Sequence, residues 1–115
     1  MKIVSGLAAV VVVLGMAAGA EAASFDCGRA RAADERAICA SRTLNDRDVT
    51  LAVTYRLTAH LMAMGGRGDL QDGQRAWLAD RHRCGANAAC LNRSYDARLS
   101  AVQAAYDGIV SRGPF

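Results

Sequence analysis

The sequence predicts an all-α protein, a small domain of three to four helices stapled by two disulfides. Three observations lead to this class. Apolar residues recur at three- and four-residue intervals through most of the chain beyond residue 22, no segment alternates with the period of a strand, and four cysteines lie in a short chain that opens on an export signal.

That signal comes first. Lys2 precedes an apolar run from Ile3 to Ala18, followed by Ala20-Glu21-Ala22. This is the order of a secretory signal, so residues 1–22 are expected to be removed after Ala22. The run is too short, and its far side too poor in charge, to suit a membrane span. Ser24-Phe25-Asp26 separate it from Cys27, so no cysteine is placed for lipid attachment. The expected product, residues 23–115, is a soluble domain of the periplasm or exterior with no membrane anchor. Losing Lys2 and Glu21 leaves the net charge at +3, carried by thirteen arginines against ten acids. The charge is mild and forms no basic stripe, which excludes nucleic acid as a partner.

A chain of this size has a small core and benefits from staples. In an oxidising compartment its cysteines are expected to form disulfides. The local pairings, Cys27 with Cys39 and Cys84 with Cys90, are preferred because each closes a short loop across a bend; crossed pairings stay open. The C-x11-C and C-x5-C spacings match no common zinc site, and neither a metal nor another cofactor is expected.

The elements follow in order. A short helix is expected over Ala32 to Ala40, with Phe25, Ile38 and Cys39 inward and the acids Asp34 and Glu35 near its positive N-terminus. Ser41 to Thr43 reads as a break. Leu44, Asp48, Leu51, Tyr55 and Leu61 or Met62 then mark a long helix through about Met64, which Gly65-Gly66-Arg67-Gly68 is expected to end as a loop. Asp69 is the expected N-cap of the next helix, which carries Leu70, Gln74, Trp77, Leu78 and Arg81 and stops near Cys84-Gly85. Asn87 can cap the last, which carries Leu91, Tyr95, Leu99, Val102, Tyr106 and Ile109 and closes at Gly113-Pro114.

These residues carry a resemblance. Phe25-Asp26-Cys27, Glu35-x-x-Ile38-Cys39, the Leu44/Asp48/Leu51/Tyr55 series, Gln74-x-x-Trp77-x-x-x-Arg81-x-x-Cys84 and Cys90-Leu91-x-x-x-Tyr95-x-x-Arg98 together resemble the lysozyme inhibitor LprI-like family of small exported bacterial domains. The resemblance covers nearly all of residues 23–115. It implies a compact helical, disulfide-containing domain that binds and inhibits a lysozyme-type muramidase. The chain departs from the family pattern at Arg47, where an aliphatic residue is usual, and lacks the lipid-bearing cysteine of the namesake. The alternative reading is an exported protein-interaction or envelope-stress module with no hydrolase target.

Nothing in the sequence resembles a catalytic constellation, and the chain reads as a non-enzyme. His60 and His82 fall on different helices without convergent partners. Trp77, Tyr95, Gln74, Arg81 and Arg98 read as scaffold, the arginines pairing Glu35 or Asp48 at the edge of the core. As partner-binding candidates the chain offers Arg67, exposed on its glycine loop and able to reach a muramidase's paired carboxylates, with Asp69 beside it, and less directly Arg81 and Arg98. Arg67-Gly68-Asp69 also spells an adhesion-type tripeptide, and His60-x-Met62-x-Met64 a soft copper-binding run, but capping by Asp69 and core methionines are the preferred readings.

Overall fold

Asp26 accepts a hydrogen bond from the Gly28 amide, which closes a 3-10 turn at Cys27–Arg29. The computed structural model describes residues 23–113. The expected signal segment and Pro114 lie outside them. Four α-helices follow, α1 (Ala33–Ala40), α2 (Arg42–Leu61), α3 (Met64–Arg83) and α4 (Ala88–Val110), and the described residues contain no strand.

Helix α1 starts with Asp34 and Glu35 in its first turn, where the exposed amides favour negative charge. The break after it is shorter than the sequence suggests. Ser41 alone interrupts the helices, its hydroxyl accepting from Leu44 N as the N-cap of α2.

The glycine-rich stretch corrects the sequence reading. Met62 and Ala63 are extended and end α2 without help from glycine, and Gly65, Gly66 and Gly68 lie inside the first turns of α3. Ala63, not Asp69, holds the N-cap position. The cause is Arg67: its Nε donates to Ala59 O at 2.8 Å and its guanidinium also donates to Met62 O at 3.1 Å. The Ala59 carbonyl also accepts from the Met62 amide, so Arg67 adds a second donor to the last turn of α2 and one to the carbonyl of its cap residue. An arginine anchored backward in this way holds its own backbone in the next helix, despite glycine's poor propensity.

Gly85, at φ +54°, makes the turn from α3 to α4, and Asn87 caps α4 through Cys90 N at 2.9 Å. Both preferred disulfides are present, with Cα separations of 5.8 Å for Cys27–Cys39 and 5.5 Å for Cys84–Cys90. Two covalent staples of this kind suit an oxidising compartment.

Helix α3 runs antiparallel to α4, since Leu70 meets Arg98 and Trp77 meets Ser94. It also runs antiparallel to α2, with Arg67 at Ala59 and Arg81 near Asp48. Helices α2 and α4 are therefore parallel, and they form the most extensive packing of the bundle. Ile38, Leu44, Leu51, Leu70, Trp77, Leu91, Tyr95 and Val102 make one contiguous core, with Phe25, Tyr55, Met62 and Leu99 packed around it. Removal of such side chains from water is the main stabilising term. Leu99 and Tyr106, placed on the inner stripe of α4 by spacing, are only half-buried. Among the described residues, no helix is long and apolar enough to cross a membrane.

Candidate functional site

One end of the bundle gathers the chain's unusual chemistry. The last turn of α3 delivers Arg81, the first turn of α1 delivers Asp34, and the second turns of α2 and α4 deliver Asp48 and Tyr95. All four side chains are buried. Arg81 Nε donates to Asp34 Oδ2 at 2.9 Å, and its Nη1 lies 3.8 Å from Asp48 Oδ1. Its guanidinium sits 5.6 Å from the ring centres of both Phe25 and Trp77, a position that favours a cation. The Tyr95 hydroxyl donates to Asp48 Oδ1 at 2.7 Å, and the Ser24 amide donates to Asp48 Oδ2 at 2.6 Å. The first residues after the expected cleavage point are thus tied into the core. Trp77 meets Tyr95 edge to face at 5.1 Å, and its indole N–H reaches Ser94 O.

This geometry moves the titratable groups away from neutrality. Burial alone would raise the Asp34 carboxyl. The Arg81 hydrogen bond and charge, with smaller help from the Glu35 amide and His82, more than offset that and hold it below the ordinary carboxylate value. Burial pushes the Tyr95 phenol far above its ordinary value, and the neighbouring Asp48 charge adds to the shift. Tyr95 is therefore a standing donor and Asp34 a standing acceptor. Neither is poised to exchange a proton near pH 7, as general acid-base work would require. The cluster orients and fixes; its polar atoms are consumed by one another.

The exposed rim of the same end is different. His82 Nδ1 reaches Asp34 Oδ1 at 3.2 Å from a largely solvated ring. Arg29 pairs with Asp26, and Arg83 with Asp80, as exposed neighbours one helical turn apart. Pairs of this kind are weak and readily exchanged for a better carboxylate.

Each sequence candidate now has a place. Arg67 is folded back onto α2 rather than extended into solvent, so a protruding cationic loop is not what the chain builds there. Asp69 is exposed in the second turn of α3. Arg81 is enclosed between Phe25 and Trp77. Its acidic partner on α1 is Asp34 rather than Glu35, because Asp34 shares a helix face with the buried Ile38 four residues on. That spacing was readable in the sequence. Among the described residues Arg98 pairs with no acid: it donates to Gln74 Oε1 at 2.9 Å and to Leu70 O at 3.1 Å, and burial lowers its pKa. Gly73 makes room for it, since a Cβ there would lie 3.0 Å from Arg98 Nη1.

Of the copper-type run, His60 lines a shallow pocket with Ala59 and the cationic Arg67, Met62 packs on the core, and Met64 is exposed. A neighbouring guanidinium opposes a metal cation there. Among the described residues, no group of three or more His, Cys, Asp or Glu side chains is arranged to hold a metal ion. No protein-family model, curated protein or solved structure matches this chain.

Proposed function

We propose that this is an exported, non-enzymatic binding domain that inhibits a lysozyme-type muramidase through the cationic rim of its stapled end. The observation that carries the reading is anchoring. Arg83 ends α3 two residues after the buried Arg81 and directly before the Cys84–Cys90 staple, and Arg29 ends the 3-10 turn that Cys27 ties to α1, so both arginines are held in place before any partner arrives. A preorganised surface loses less entropy on binding. A muramidase cleft presents two carboxylates, and arginines whose surface pairs are weak can transfer to them. On this reading the contact falls to Arg29 and Arg83, since Arg67 is folded back onto α2. The net charge of +3 slows approach to a basic lysozyme, so affinity must come from local contacts.

The test is a lysis assay with the oxidised protein in excess over a c-type lysozyme acting on cell walls. Slowed lysis is expected, and no slowing at any ratio removes the reading. Arg29→Ala combined with Arg83→Ala should relieve inhibition without changing the melting temperature. Arg67→Ala should lower the melting temperature and leave inhibition per folded molecule intact.

The second reading, an exported interaction module without a hydrolase target, is favoured by one separate feature. Helix α2 turns a row of large apolar side chains to solvent.

A further inference from the structure

That row has a definite composition. Val49, Val53, Leu57 and Leu61 are 36, 43, 53 and 39% exposed, and they follow one another at four-residue steps along the outer face of α2. Beside them stand Thr50 and Thr54. The Thr50 hydroxyl donates to Asp46 O at 2.8 Å and the Thr54 hydroxyl to Thr50 O at 2.9 Å, so both donors are satisfied inside the helix. Their methyl groups add to the apolar surface, and covering them strands no hydroxyl hydrogen. Such a face can be dried without a polar cost, and contiguous exposed apolar surface of this kind marks an association site.

Charge says what covers it. Asp46 lies at the N-terminal end of the row, and Arg56 and His60 lie toward its C-terminal end. None of the three enters an ion pair among the described residues. Over the span from Asp46 to His60 the row has acid at one end and base at the other, with the exposed Arg42 a turn outside it, and such a span is complementary to itself turned around. We infer that the outer face of α2 pairs with the same face of a second copy, antiparallel about a two-fold axis at Val53.

In this register Val53 meets Val53, Val49 meets Leu57 of the second copy, and Asp46 faces the basic pair Arg56 and His60 across the axis. The contact is isologous, so every favourable pair occurs twice. A parallel pairing sets Asp46 against Asp46 and Arg56 against Arg56, which like-charge repulsion disfavours. The 20-residue helix is roughly 30 Å long. One helix pair falls at the small end of specific interfaces, so the dimer is weak, populated at concentrations on the order of 10 to 100 μM. The inference goes beyond the muramidase reading and does not depend on it, since it uses neither Arg29 nor Arg83.

The experiment is sedimentation equilibrium of the oxidised protein over about 5 to 500 μM, the range that brackets such a constant. The weight-average mass should rise toward twice the monomer. Monomer throughout overturns the inference and assigns the row to some other partner. Val53→Arg should abolish the rise while leaving the melting temperature unchanged, because the site is 43% exposed on the outer face of α2; a dimer that survives it overturns the α2 face. Asp46→Arg and Arg56→Asp should each weaken the dimer about three- to tenfold, and the double variant should restore it. Failure to restore overturns the antiparallel register.

Discussion

Arg81 Nε lies 2.9 Å from Asp34 Oδ2, with both side chains buried and Asp48 3.8 Å away on the other side of the guanidinium. Removing the arginine would leave two buried carboxylates without a cation. Arg81→Met is therefore expected to destabilise the fold by about 3 to 5 kcal/mol, the cost of breaking rather than replacing a buried pair. That is a large share of a small domain's stability. Arg81→Lys should recover only part of it, since a compact ammonium cannot span both acids as a planar fork does. Urea unfolding at neutral pH measures both, with the exposed Arg83→Ala as the control expected to stay near wild type.

Acid should weaken the protein through Asp34. Its carboxyl is depressed in the folded state, with burial opposing and Arg81 prevailing. The unfolded chain therefore takes up that proton at a higher pH than the folded one. The stabilisation is complete above the unfolded carboxyl value near 4 and disappears as pH falls through the folded value. Urea midpoints should hold steady from neutrality to about pH 5 and drop by about pH 3, with a shallower drop in Asp34→Asn. An equally steep drop in that variant would assign the acid sensitivity elsewhere.

The first turns of α3 carry three glycines with little packed against them. A Cβ built at Gly65 or Gly68 meets nothing within 4 Å. Gly65→Ala and Gly68→Ala should each stabilise by roughly 0.5 to 1 kcal/mol through helix propensity and a less disordered unfolded chain. For a domain of this size that is a rise of a few degrees in melting temperature. Gly85→Ala should do the opposite, because its φ of +54° strains any side chain.

The two staples should differ in weight. Cys27–Cys39 spans twelve residues and Cys84–Cys90 six, so replacing each pair by serine should cost about 3 and about 2 kcal/mol respectively in a loop-entropy treatment. Under the muramidase proposal, the Cys84→Ser/Cys90→Ser variant should lose inhibition at temperatures where circular dichroism still reports a full complement of helix. Inhibition that tracks helix content alone would show that preorganisation of the turn is not required.

Much of this fold is legible locally. The helical period, the absence of alternation, the caps at Ser41 and Asn87 and the Gly85 turn depend on residues within about one helical turn of each other, and the cysteine pairs close loops of only twelve and six residues, short enough for spacing to determine contact. Trp77 and Tyr95 are readable as core for the same reason. What lay beyond reach was the destination of long polar side chains. Glycine after glycine spells a loop until Arg67 is seen capping α2, and then the same residues must be helix. Arg98 invites an acidic partner until Gly73 and Gln74 are found beneath it. Whether an arginine meets a carboxylate, a carbonyl or solvent depends on which helices the packing brings alongside it.

The sequence by itself determined the helices, their order and the class of the fold, because backbone propensity and apolar period act within a turn or two. Only the tertiary structure decided that Arg81 lies between Asp34 and Asp48, that Arg98 meets Gln74 rather than an acid, and that the outer face of α2 is left bare. Those outcomes belong to side chains brought together from residues twenty to fifty apart, or held apart by the same packing, and no local spacing encodes them.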